Sequence, residues 1–154
     1  MPEGDAVDAD DPRDALLKLE NQLCFALVTA ARNVVAVYRP ILEPLGLTHP
    51  QYLVMLALWE RAPRPLGDLA EELAMEPATL SPLVKRLEAQ GLVSRTRSAT
   101  DERVLEVGLS PAGRELRERA LDVPGAVMAA TGMTAAEIAA VRDGLSAFAG
   151  RRPR

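Results

Sequence analysis

From Ala15 to Tyr38, apolar residues recur at three-to-four spacing along two stripes. One is Leu16, Leu19, Leu23, Leu27, Ala30, Val34 and Val37; the other is Leu17, Cys24, Val28, Ala31, Val35 and Tyr38. That period belongs to an α-helix. Two stripes on one helix predict burial on more than one side, as when a helix packs on its own domain and on a partner. Pro40 should end it, because Arg39, preceding a proline, is pushed out of helical geometry.

A second helix is predicted from Thr48 to about Glu60, since Thr48 and Gln51 have capping-box spacing and Pro50 occupies the first turn. Arg61 to Pro65 reads as a turn, and Leu66 to Ala74 as a short amphipathic helix. Glu76-Pro77 opens the next helix, with Leu80, Leu83, Val84 and Leu87 on its core face and Thr79, Ser81, Lys85 and Arg86 outward. Gly91 closes it as a left-handed cap. Leu92–Arg97 and Val104–Leu109 then read as two strands of a hairpin with a polar tip from Ser98 to Arg103. Ser110-Pro111 begins another helix, interrupted at Pro124-Gly125. A last one opens at Thr134, with Glu137 completing a capping box and Ile138, Val141, Leu145 and Phe148 on one face.

Helix, turn, helix and basic hairpin in this order predict a mainly α fold with a small β-hairpin wing, a winged helix-turn-helix over about 50–110. Helices over about 15–39 and 111–150 would supply a dimer interface. A length of 154 residues with 48% hydrophobic content fits one domain from residue 15 onward.

Charge changes the picture by where it sits. The chain carries −4, yet residues 1–14 hold six acids against Arg13, a net −5 that leaves +1 on the remainder. An acidic, aromatic-free segment with Pro2, Gly4 and Pro12 is expected to be a disordered tail. No window offers about 18 uninterrupted apolar residues, and no basic-then-apolar leader is seen, so a cytoplasmic protein without a membrane partner is expected. One Cys and one His are too few for the usual Cys/His metal site, and no metal or cofactor is expected. A single cysteine forms no internal disulfide; Cys24 is either an inert core residue or a reactive thiol.

A helix-turn-helix sets its second helix in the major groove of double-stranded DNA, where short side chains near its start reach base edges. Pro77, Ala78, Thr79 and Ser81 occupy that start. Lys85, Arg86, Arg95 and Arg97 are candidate phosphate contacts, and Arg103 at the hairpin tip suits the narrow minor groove or a hairpin salt bridge to Asp101.

Several stretches resemble the MarR family of winged-helix repressors. They are Tyr38-Arg39-Pro40, Leu45 to Thr48, Pro50 to Leu53, Thr79-Leu80, Pro82-Leu83, Lys85 to Glu88, Gly91 to Val93, and the wing signature Asp101-Glu102-Arg103. Within that family Asn21-Gln22-Leu23-Cys24-Phe25 is similar to the one-cysteine organic hydroperoxide resistance regulators (OhrR). The resemblance implies a homodimer, not an enzyme, that represses from an inverted-repeat operator and lets go when an organic hydroperoxide oxidises Cys24. A low-molecular-weight thiol would be the second reactant. It also implies that tyrosines steady the thiol. Tyr38 matches one of them, whereas Val28 and His49 stand where relatives carry others; His49 can still donate a hydrogen bond. Fourteen residues of helix separate Cys24 from Tyr38, roughly 21 Å, so a Tyr38 that reaches Cys24 belongs to the other subunit. The alternative within the family is a repressor released by a small aromatic effector bound non-covalently, with Cys24 incidental. A thiol peroxidase is disfavoured because no resolving cysteine is present.

Overall fold

Side-chain caps decide where the helices begin. In the computed structural model, which describes residues 11–149, Asp11 accepts a hydrogen bond from the Arg13 N–H at 2.9 Å and caps a one-turn helix, α1 (Pro12–Leu16). Of the acidic segment expected to be disordered, residues 1–10 lie outside the described residues, while 11–14 enter this turn. The Asn21 and Gln22 amides then donate to the carbonyls of Ala15 (2.6 Å) and Leu16 (2.7 Å), satisfying groups a helix end leaves free. A 3-10 turn, Leu19–Asn21, follows, and α2 (Leu23–Leu42) starts eight residues later than the periodicity alone predicts.

Pro40 does not stop α2, contrary to the expectation from sequence. Its ring lies on the exposed side, and the residues just beyond it are drawn into the core, Leu42 completely, so burial outweighs one missing helical hydrogen bond. Among the described residues Leu23–Leu45 is the single unbent helix with the length and mean hydropathy, 1.3, to cross a membrane. The absence of an uninterrupted apolar run, which is real, therefore concealed a helix that is apolar on average; Arg32, Asn33 and Arg39 interrupt it.

The described residues form two units, divided between Ala36 and Val37. In the second, α3 (His49–Glu60) opens on a reciprocal capping box: the Gln51 N–H donates to Thr48 Oγ1 (3.4 Å) and the Thr48 N–H to Gln51 Oε1 (3.0 Å). After it come α4 (Leu66–Glu72) and α5 (Pro77–Ala89). Val54, Met55, Leu58, Leu69, Leu80, Val84, Leu87 and Val107 form the buried centre that α3, α4, α5 and the sheet share.

The sheet has three strands where sequence predicts two. Antiparallel β2 (Val93–Arg97) and β3 (Leu105–Leu109) pair with Arg95 opposite Val107, and a two-residue β1 (Arg64–Pro65) adds to the far edge of β3, giving the order β1-β3-β2. Pro65 reads as a turn residue and is tolerated because β1 is an edge strand. Arg64 is 4% exposed; it ion-pairs with Glu72 and donates to the Ala57 carbonyl at 3.5 Å, tying β1 to α3 and α4.

Beyond the wing, α6 (Pro111–Ala120) ends before Pro124, which does not break a helix but sits in the first turn of a new one, α7 (Val123–Thr131). The expected capping box opens α8 (Ala135–Gly144), with the Glu137 N–H donating to Thr134 Oγ1 at 3.2 Å. Val141, Leu145 and Phe148 remain exposed.

Gly113 fixes how closely α6 approaches the wing. A Cβ there would lie 2.0 Å from the Leu92 carbonyl oxygen, and the Gly113 carbonyl accepts from Trp59 Nε1 at 2.8 Å. Gly113→Ala is expected to destabilise the protein by roughly 2 kcal/mol or more, since the overlap is with backbone and outweighs alanine's better helix propensity. Thermal unfolding checks this, and an unchanged Tm would contradict it.

Candidate functional site

The recognition elements stand on α5, β2 and the hairpin tip. Leu80, Leu83, Val84 and Leu87 anchor one face of α5, which leaves Pro77, Ala78, Thr79, Lys85 and Arg86 exposed and Ser81 half-buried. All of these belong to the outward set predicted for DNA contact. Arg97 is exposed at the end of β2.

Arg95, a candidate phosphate contact, is also paired within the chain. Its Nε and Nη2 donate to Glu88 Oε1 at 3.2 and 3.0 Å, and its backbone N–H donates to Glu88 Oε2 at 3.1 Å. One carboxylate on α5 thus holds both side chain and main chain of β2. The guanidinium holds the Glu88 carboxyl below its ordinary pKa. Sequence reading missed Glu88; the available signal was an acid seven residues before an arginine, on either side of the turn at Gly91, whose φ of 76° only glycine adopts readily.

At the tip, the Ser98 N–H donates to the Val104 carbonyl (2.8 Å) and the Val104 N–H to the Asp101 carbonyl (2.9 Å), closing a tight loop. Asp101 Oδ1 accepts from Arg103 Nε and from the Arg103 N–H, each at 3.1 Å. These bonds lower the Asp101 pKa, side-chain contact first. Arg103 itself is 91% exposed, a cation aimed outward by a carboxylate at its base.

The predicted redox residues fall in separate units. Cys24, on α2, is exposed in a stretch where Leu23, Phe25 and Val28 are exposed as well. In the other unit Tyr38 and His49 meet edge to face with ring centroids 5.1 Å apart, and Tyr38 lies 5.9 Å from Tyr52. Tyr52, three residues after His49, joins this cluster although it is not among the predicted site residues. Burial lowers the His49 pKa and raises that of Tyr52, the latter reinforced by the neighbouring Tyr38. His49 is therefore neutral at pH 7 and offers a hydrogen bond rather than a positive charge. A cleft of about 300 Å³ opens nearby on α3, lined by Tyr52, Leu56, Trp59, Arg117, Leu121 and Pro124 among others.

Comparison with known proteins places this geometry. Residues 47–105 match the MarR family model. The chain is 43% identical over 112 residues to the organic hydroperoxide resistance transcriptional regulator of Bacillus subtilis, covering 73% of this chain and 76% of that one. Among solved structures it is similar to overoxidised AbfR bound to DNA (TM-score 0.72, 32% identity, 88% of this chain and 96% of that one). It is also similar to Bordetella bronchiseptica BpsR, whose DNA binding is regulated by 6-hydroxynicotinic acid (TM-score 0.77, 26% identity, 88% and 98%).

Two measurements test the site. If Arg103 meets DNA and Arg95 is committed to Glu88, Arg103→Ala lowers the slope of log K against log salt by about one while Arg95→Gln leaves it unchanged. Equal slopes for Arg103→Ala and wild type, or a shallower one for Arg95→Gln, would reverse these roles. Second, the chain has one histidine, so its imidazole resonance is unambiguous, and it should titrate below the ~6.5 of a free imidazole. With the folded pKa depressed, the unfolded chain binds the proton first. His49 therefore leaves stability untouched above about pH 6.5 and lowers it as pH falls from there to the folded pKa. A resonance titrating above 6.5 would contradict the burial.

Proposed function

The chain belongs to the MarR family of transcriptional regulators, and on that premise we propose that it is a repressor which senses organic hydroperoxides through Cys24. The observation that carries this reading is the position of its only cysteine, exposed on an apolar helical surface. The similarity to a regulator of organic hydroperoxide resistance supports it. In this reading a homodimer sets two α5 helices in successive major grooves of an inverted repeat, with half-sites about one helical turn apart, and two wings in the flanking minor grooves. Pro77, Thr79, Ser81, Lys85, Arg86, Arg97 and Arg103 face the duplex. The protein works in the cytoplasm, where its operator is.

The chemistry is one oxygen transfer followed by one exchange. The Cys24 thiolate attacks an oxygen of ROOH, the O–O bond breaks, and RO⁻ leaves to take up a proton as ROH, giving a sulfenic acid. A low-molecular-weight thiol then attacks the sulfenyl sulfur and water leaves, giving a mixed disulfide. With no second cysteine, this external thiol is the resolving group. Tyr38 and neutral His49 of the opposite protomer donate hydrogen bonds to the thiolate. Attachment of a bulky thiol forces apart a packed interface and moves the DNA-binding elements out of register.

One observation favours a second reading. The cleft beside Tyr52 and Trp59 is mostly apolar, carries Arg117 together with Glu60, and is large enough for a small aromatic molecule; BpsR, regulated by 6-hydroxynicotinic acid, is among the similar structures. There the effector binds non-covalently and Cys24 is incidental.

Substitution separates the two. Cys24→Ser is expected to bind operator DNA as wild type does and to stay bound in organic hydroperoxide, while wild type is released and gains, by intact-protein mass spectrometry, first one oxygen and then the added thiol on Cys24. Wild-type protein that leaves DNA with Cys24 unmodified would overturn the redox reading in favour of the cleft.

A further inference from the structure

The exposed face of α5 contains a residue that nothing above has used. Pro82 is the sixth residue of this thirteen-residue helix and lies past the first turn, where a proline is harmless, so the Ala78 carbonyl loses its helical hydrogen-bond donor. An exposed position inside a helix is where proline is least favourable. Burial gives no return for it, since Pro82 is exposed while its neighbours Leu83 and Val84 are buried.

Its angular position is informative. At about 100° per residue, Pro82 falls at the middle of the exposed arc of α5, nearly in line with Ala78 one turn earlier and Ala89 two turns later. Lys85 and Arg86 flank this line, and Thr79 and Ser81, the hydroxyl-bearing residues, lie toward its two rims. The ridge that points most directly away from the protein is thus apolar and rigid, without a side-chain hydrogen-bond donor or acceptor, and the cations lie beside it. In the major groove, base edges present one apolar group, the C5-methyl of thymine, and everything else there is a donor or an acceptor.

We propose that Pro82, with Ala78, reads thymine methyl groups in the major groove, so that α5 selects its operator by apolar contact while Lys85 and Arg86 supply charge to the phosphates. The inference rests on the DNA-binding reading and is independent of the hydroperoxide. A ring with no rotamers to freeze makes this contact without an entropic loss that a longer apolar side chain would incur.

The test uses the full-length dimer and a duplex that it recovers from a randomised library, resynthesised with deoxyuridine for thymidine one position at a time. Removing one contacted methyl is expected to weaken binding roughly fourfold at one or two positions in each half-site. Pro82→Ala should bind the thymidine and deoxyuridine duplexes equally at those positions, melt at a higher temperature, and keep the wild-type salt slope. A proline that only shapes the helix would change stability and leave the thymidine preference intact. That result, or wild-type indifference to every replacement, overturns the proposal. Failure to recover any preferred duplex would instead overturn the sequence-specific DNA reading, and this inference with it.

Discussion

A twenty-residue helix that buries one of its residues cannot be the resting state of α2 in water. Within a single chain only Leu42 of that helix is buried, while Leu23, Phe25, Val28, Val34 and Val35 are exposed. Full burial of such a side chain contributes about 1.5–3 kcal/mol, and these five are already roughly half covered, so sheltering the rest is worth on the order of 5 kcal/mol, an upper estimate because the unfolded chain already hides part of this surface. That is comparable to the entire stability of a typical domain. The MarR fold meets the requirement by dimerisation, and the exposed Val141, Leu145 and Phe148 at the other end of the chain extend the same demand. The second copy is a condition of the fold, and everything placed on that face is placed at a subunit interface.

Cys24 lies among the exposed apolar side chains of α2, and the chemistry proposed for it follows from that location. In the proposed dimer a thiol there would be sheltered from casual oxidation yet accessible to an apolar peroxide, and any group attached to it would displace packed side chains. Tyr38, His49 and Tyr52 form one aromatic cluster, within which burial lowers the His49 pKa and so disfavours a positive charge. At the DNA end the design is stiff rather than adaptable: Glu88 clamps β2 to α5, and Gly113 lets α6 lie against the Leu92 backbone. The side chain and main chain of β2 are thus tied to α5, and the proposed switch would act on the spacing of two such units rather than on either one.

Much of this was legible in the sequence because it depends on local rules. Both capping boxes, the left-handed glycine at Gly91 and the buried face of α5 follow from side chains within four residues of one another. The failures share a cause of the opposite kind. Pro40 looked like a terminator because its effect on local geometry is visible, whereas the burial of Leu42 that overrides it is tertiary. Strand β1 was invisible because two residues with a proline have no periodicity, and only β3 makes them a strand. The Arg95 ion pair with Glu88 was not legible because it is set by how β2 packs on α5. Tyr52 was missed for the same reason: its proximity to Tyr38 depends on how α3 lies against the end of α2 within the second unit.

The central claim is that the Cys24 thiol is served by the other subunit's Tyr38, and mixed dimers test it most directly. A dimer with a single Cys24, made by pairing a wild-type chain with a Cys24→Ser chain, can carry Tyr38→Phe either on the chain with the thiol or on its partner. The rate of sulfenic acid formation with an organic hydroperoxide, followed by mass spectrometry, should fall only when Tyr38→Phe lies on the partner. Slowing only when it lies on the thiol's own chain, or equal rates in both arrangements, would contradict the account.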